Sequence, residues 1–149
     1  MTSYPKQISQ KEQERLRAAP VLIFLLLVAS SDEDAAARQK LAFAAVLRGA
    51  GQLPSPLFAA ALADAALHYE EIRAAYAGRV LDPSVELAEV CGVLGRLEVD
   101  PDEVDGYRQG LVILAEAVAR AGARRSLIGR RLGRHQRELL ALLRAMMTA

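Results

Sequence analysis

Tryptophan is absent from this chain, cysteine occurs once, and aromatic residues make up only 5%. A single cysteine, Cys91, excludes an internal disulfide framework and fits a reducing compartment. Runs of Val, Ile and Thr alternating with polar residues are missing, so a sheet has little to be built from. The most apolar uncharged stretch, Ala18 to Ser31, counts 14 residues, whereas a membrane-spanning helix needs about 20. No phosphate-binding loop, dinucleotide fingerprint or zinc spacing is present, and no twelve-residue calcium loop with a central glycine. Ser84 and Ser126 have no nearby His–Asp pattern, so catalysis has almost nothing to stand on.

What the chain does have is helix-forming residues. Apolar residues make up 52% of 149, with Ala and Leu dominant, and Arg, Glu and Gln are good helix formers too. The length suits one domain with a real core. The expected fold is therefore all-α: a compact single-domain bundle of about seven helices joined by short loops. Residues 1–8 are expected to be a flexible N-terminus and residues 9–149 the helical domain.

The net charge of +1 hides an asymmetry. Residues 1–119 carry 11 basic and 17 acidic side chains, a balance of −6; residues 120–149 carry 8 and 1, a balance of +7. Such polarity can guide self-association or attract an anionic partner.

The strongest burial signal is VLIFLLLVA, residues 21–29, followed by Ser30, Ser31 and the acids Asp32, Glu33 and Asp34. It reads as a central buried helix from about Pro20 to Ala29. Export is the rival reading, with four basic residues before the run and Val28-Ala29-Ser30 as a cleavage site. Glu12 and Glu14 in the leader argue against it, and a cytoplasmic, non-spanning protein is expected.

The other helices follow from caps and stripes. Ser9 with Glu12 forms a capping box for a helix through Arg17, which Pro20 interrupts or restarts. The acids at 32–34 open a helix that continues through Arg38, Leu41, Ala44 and Leu47 to about Arg48, ended by Gly49 and Gly51. Ser55-Pro56 starts another, with Phe58, Leu62, Ala65, Tyr69, Ile72 and Tyr76 as one stripe along about six turns up to Gly78. Asp82-Pro83 starts the next, striped by Leu87, Val90, Leu94 and Leu97, with Cys91 on its buried side. Asp100-Pro101-Asp102-Glu103 is the best capping signal, with Glu103 reaching back to its own helix start. That helix carries Val104, Tyr107, Leu111, Leu114, Val118 and Ala121, and Gly106 and Gly110 admit a neighbouring backbone. Residues 122–133 read as an Arg-rich loop. The last helix, about Arg134 to Met147, buries Leu139, Leu140, Leu143, Met146 and Met147.

Three segments, LLLVASSDEDAAARQKL, CGVLGRLEVDPDEVDGYRQGL and AVARAGARRSLIGRRLGRHQRELLALLRAMM, together resemble the tellurite-resistance TerB-like family of small all-helical proteins. The resemblance spans most of residues 20–147. It implies a non-enzymatic accessory or interaction protein with a stress-response association, and acidic turns that bind divalent metal. The family's turn is Ala-Asp-Gly with an acid seven residues after the Asp. Here Ser30 and Ser31 stand where Asp and Gly belong, and Ala37 stands at the acid's position. In the second copy Arg96 and Leu97 replace Asp-Gly while Glu103 keeps the acid. At the final helix, Gly133 and Gln136 replace Ser and Glu.

Four candidate sites remain. Asp32 and Asp34, with Glu33, can bind a divalent cation together with Glu98, Asp100, Asp102 and Glu103 if the two turns lie side by side. The bland reading of these acids is helix capping. Arg120, Arg124, Arg125, Arg130, Arg131, Arg134 and Arg137 put seven arginines in eighteen residues, suited to phosphates or an acidic partner. No aromatic follows Tyr107, which counts against nucleic acid; a protein partner or a homo-oligomer fits better. Asp64, His68 and Glu71 share one helical face, in principle a carboxylate–imidazole–carboxylate ligand set, and are read instead as an exposed polar face opposite the stripe. Cys91 reads as a core residue. No resident cofactor is expected beyond a possible divalent cation.

Overall fold

The computed structural model describes residues 4–49, 54–126 and 129–148, with backbone alone at 124–126 and 129–131. Its described helices are seven: α1 (Gln10–Val28), α2 (Glu33–Arg48), α3 (Pro56–Leu67), α4 (Tyr69–Tyr76), α5 (Pro83–Arg96), α6 (Pro101–Ala121) and α7 (Arg134–Thr148). The all-α single-domain expectation holds, with one addition. Where the sequence suggests an Arg-rich loop, β1 (Arg124–Ser126) and β2 (Gly129–Arg131) form a small antiparallel hairpin. Gly51 lies outside the described residues.

α1 is the central element. Leu16, Val21, Leu22, Ile23, Phe24 and Leu27 point in different directions around the helix, and all are buried. A helix apolar all round must be covered all round, and α2, α3, α4, α5 and α6 all pack against it. Among the described residues no helix is long and apolar enough to cross a membrane.

The expected break at Pro20 does not occur: α1 runs from Gln10 to Val28 as one helix. Proline has no N–H, so the carbonyl four residues earlier, that of Leu16, loses its helical donor. The Tyr107 hydroxyl replaces that donor at 2.6 Å, from the buried face of α6. A long-range side-chain bond thus lets the helix pass through the proline.

A second correction concerns the stripe from Phe58 to Tyr76, read as one helix. It is divided at His68, whose φ of −112° and ψ of 20° bend the chain between α3 and α4. The stripe survives the bend. Ile72 is buried, and the Tyr69 ring lies 6.0 Å from Phe43 and 6.5 Å from Phe24, which themselves stack at 4.5 Å.

α3 and α6 pack closely because α6 has glycines where they meet. A Cβ at Gly106 would lie 2.5 Å from the Ser55 Cβ, and one at Gly110 would collide with the Phe58 ring. Phe58 then meets Tyr107 edge to face at 5.4 Å. Glu103 departs from its expected capping role. Its carboxylate accepts from the Leu57 backbone N–H at 3.0 Å, satisfying an unpaired donor in the first turn of α3. The Ser9–Glu12 capping box forms in full, and Gly78 takes the left-handed φ of 75° after α4.

In the N-terminal segment, Ile8 is buried and the Tyr4 hydroxyl donates to Asp64. Cys91 is half-buried between α5 and α7, its thiol 3.6 Å from the Met146 carbonyl and its pKa pushed up by burial.

Candidate functional site

The acidic turns serve helix ends. The Asp32 carboxylate accepts from Ala35 N–H at 2.8 Å and starts α2, with Glu33 and Asp34 exposed in its first turn. Asp100 accepts from Asp102 N–H at 2.9 Å and starts α6. Glu98, Asp100 and Asp102 are exposed, and Glu103 is committed to Leu57. Among the described residues no group of three or more His, Cys, Asp or Glu side chains can hold a metal ion.

What lies at the end of α1 is a neutral network in which Gln39 and Gln136 are buried, Ser31 is half-buried and Ser30 is exposed. The Gln39 amide, fully buried on α2, donates to the Gln136 carbonyl oxygen at 3.0 Å and accepts from Ser31 Oγ at 2.7 Å. Gln136 on α7 donates to the Leu27 carbonyl and to Ser30 Oγ, both at 2.7 Å. Ser31 Oγ also approaches the Leu27 carbonyl, at 3.2 Å. Leu27 is in the last turn of α1, where carbonyls lack helical partners. The network therefore caps α1 with side chains from its own exit turn, α2 and α7.

The C-terminus of α6 joins the same junction. Gly122 leaves room for the Gln39 amide, whose Nε2 would lie 2.5 Å from a Cβ there. Arg38 Nε donates to the Ala121 carbonyl at 2.9 Å. Ser30, Ser31 and Gln136 are the residues that stand where the resemblance would place Asp, Gly and Glu. Every member is uncharged, and a hard divalent cation calls for several charged or strongly polar oxygen ligands. The arrangement holds the ends of α1 and α6 against α2 and α7.

Gln39 escaped the sequence reading, although a signal was present. It sits four residues after Ala35 and four before Phe43, in the middle of the buried face of α2. Leu41, by contrast, is 72% exposed. Gln136 lies four residues before Leu140 and seven before Leu143 on the buried face of α7. A polar side chain at a stripe position is the mark of a buried hydrogen-bonding residue.

Asp64, His68 and Glu71 do come together, but not as the exposed polar face expected. The Asp64 carboxylate is mostly covered and collects Tyr4 Oη at 3.0 Å, Arg17 at 3.7 Å and His68 Nε2 at 3.4 Å. His68 Nδ1 faces Glu71 at 3.4 Å. Burial and the Asp64 charge push the Tyr4 hydroxyl well above its usual range, so it remains a donor. With both imidazole nitrogens facing carboxylates, the cluster ties the N-terminal segment and α1 to the α3–α4 bend.

The arginine-rich end divides. Arg120 is exposed and 3.9 Å from Glu116, Arg134 is exposed and 3.0 Å from Glu138, and Arg137 is exposed. The hairpin register sets Arg124 opposite Arg131 and Arg125 opposite Arg130. The side chains of those four arginines lie outside the described residues. No protein-family model, curated protein or solved structure matches the chain.

Proposed function

We propose that this chain is a non-enzymatic helical accessory protein that works by contact with a protein partner, in the stress-associated class that the TerB-like resemblance implies. The observation that carries this reading is the Ser30–Ser31–Gln39–Gln136 network. In it Ser30 stands where the resemblance puts the Asp of the metal-associated turn, and Ser31 and Gln136 stand where it puts Gly and the Glu that opens the last helix, so the groups there are neutral and hydrogen-bonded to one another. Buried polar groups that satisfy one another fix a unique packing of helices, which suits a scaffold whose working surface lies outside.

Metal analysis of protein purified without chelator, with thermal shifts in calcium and manganese, tests the reading. Sub-stoichiometric metal and no shift are expected. Stoichiometric metal, or a shift lost on Asp100→Asn, would favour the second acidic turn as a cation site instead. A positive counterpart is a stoichiometric complex recovered when either the chain or its partner is the bait.

A second reading rests on the hairpin, which gathers Arg124, Arg125, Arg130 and Arg131 into one two-stranded unit beside Arg120, Arg134 and Arg137. It makes this end a site for an anionic partner, with nucleic acid as the extreme case. Charge reversal of the four hairpin arginines should abolish retention on immobilised nucleic acid; unchanged retention rejects it.

A further inference from the structure

The bend between α3 and α4 is spanned by the side chain of its own central residue. His68 ends α3 and begins α4. Its Nε2 lies 3.4 Å from Asp64, one turn back on α3, and its Nδ1 lies 3.4 Å from Glu71, in the first turn of α4. One ring therefore faces a carboxylate on each side of the bend. α4 has little else at its start. α1, α2, α3, α5 and α6 each begin with a side-chain cap, from Ser9, Asp32, Ser55, Asp82 and Asp100, whereas α4 has none. Eight residues make a helix that is marginal by itself.

Proton counting makes the arrangement sensitive to charge. An imidazole carries N–H on both nitrogens only as the cation; the neutral ring has one N–H and one lone pair. A neutral His68 must therefore turn a lone pair toward one of the two carboxylates. These are not equivalent. The Asp64 side chain is 17% exposed and is also held by Tyr4 Oη at 3.0 Å and by Arg17 at 3.7 Å. The Glu71 side chain is 74% exposed, and its carboxylate makes no other hydrogen bond or ion pair among the described residues. Water can solvate Glu71 fully, while Asp64 is fixed in place. The remaining charged groups nearby are Lys11, Glu14 and Arg15 of α1, which border the same groove as Glu71, and the Glu70–Arg73 pair on α4 itself. α2 and α6 also pack on α3, but they make no ion pair with His68, Asp64 or Glu71 among the described residues.

From this geometry we infer that the α3–α4 bend is a proton-operated clasp. With His68 protonated, the imidazolium bridges Asp64 and Glu71 and fasten the first turn of α4 to α3. With His68 neutral, the ring keeps its N–H on Asp64, Glu71 turns out into water, and that first turn loosens. Histidine changes charge between about pH 5 and 8, so the clasp closes on the acid side and opens on the other. The change is local. Ile72 is buried, so α4 stays docked on α1, and the bonds of Asp64 to Tyr4 and Arg17 persist in both states. An ion pair with so exposed a glutamate is weak, which makes it reversible. This device is independent of the partner proposed above and concerns the state of the chain itself.

Nuclear Overhauser contacts in the labelled full chain test it. The chain has two histidines, and His135→Gln assigns the ring signals of His68. The contact between the His68 ring and the Glu71 side chain should fall by roughly threefold or more between about pH 5 and 8. The contact between the ring and Asp64 should stay constant. The Ile72 N–H donates to the His68 carbonyl at 3.0 Å and reports on the first turn. Its protection from hydrogen exchange, corrected for the intrinsic pH dependence, should fall with the same midpoint as the ring titration. Glu71→Gln, a change at an exposed side chain, should abolish the pH dependence of that protection while His68 still titrates. His68→Gln should hold the protection at the level of the open state throughout.

A ring that titrates while its contact with Glu71 persists would overturn the inference. So would release of Asp64 in place of Glu71, a pH-dependent protection that survives Glu71→Gln, or a His68 ring that does not titrate across this range. Should His68→Gln fail to fold, Glu71→Gln and the two ring contacts decide the matter without it.

Discussion

The Tyr107 hydroxyl and the Leu16 carbonyl, 91 residues apart, share a 2.6 Å hydrogen bond that replaces the one Pro20 cannot make. Tyr107→Phe should therefore strand a buried carbonyl and cost about 1–3 kcal/mol. In a Pro20→Ala background the N–H at residue 20 returns to Leu16, and the same substitution should cost less than about 1 kcal/mol. Urea denaturation of the four proteins measures the coupling. An equal penalty in both backgrounds would show that Tyr107 does not compensate for the proline.

Gln39 and Gln136 should behave as one unit. Gln136→Ala removes bonds to Leu27, Ser30 and Gln39 together and is expected to destabilise by roughly 3 kcal/mol. Gln39→Ala on top of it should add less than it costs alone, by about 0.5–3 kcal/mol. Gln136→Glu buries a charge instead, so its penalty should ease as the pH falls and the new carboxyl protonates. A Gln136→Glu protein whose stability relative to the parent is flat from neutral to acid pH would contradict the burial of Gln136 among neutral groups.

Glycine substitutions should split by site. At Gly110 a methyl group runs into Phe58, which is fully buried, so Gly110→Ala should destabilise by about 1–3 kcal/mol despite its gain in helix propensity. At Gly95 nothing lies within 4 Å. There Gly95→Ala should stabilise α5 by about 0.5–1 kcal/mol. Thermal unfolding of both variants decides it, and the same sign at both positions would refute the packing of α3 on α6 described here.

All four tyrosines have pKa values raised by burial, Tyr107 and Tyr4 most strongly. A raised folded pKa stabilises fully below the unfolded value of about 10, and that stability is lost as the pH rises above it. Phenolate absorbance should consequently lag behind that of free tyrosine and then rise together with loss of helical circular dichroism. Titration of all four near pH 10 with the helices intact would contradict the burial seen here.

Local physics made most of the fold legible. Ser9 with Glu12, Ser55-Pro56 and Asp100-Pro101 mark helix starts because capping depends on neighbours within a few residues, and the stripes of α5 and α6 follow from period alone. Pro20 misled because its rescue comes from Tyr107, far along the chain. The stripe from Phe58 to Tyr76 kept its face through the bend at His68, so periodicity could not reveal the bend. Glu103 misled because two helix starts were within its reach and the one on α3 won. The resemblance drew attention to the carboxylates around 30–34 and 98–103, whereas the junction is made by amides and hydroxyls. Their partners, Gln39 with Gln136, are 97 residues apart and share no local pattern.

The all-round burial of α1 has a consequence for a chain emerging from the ribosome. VLIFLLLV has no charge and several β-branched residues, the composition of a segment that associates with its own kind when uncovered. Its cover includes α6, which ends at Ala121, so the segment waits through most of synthesis before it can be enclosed. Arg15 and Arg17 before it, and Asp32, Glu33 and Asp34 after it, bracket the segment with opposite charges. The acids that open α2 in the finished fold thus also stand where charges flanking an apolar run disfavour its self-association before it is covered.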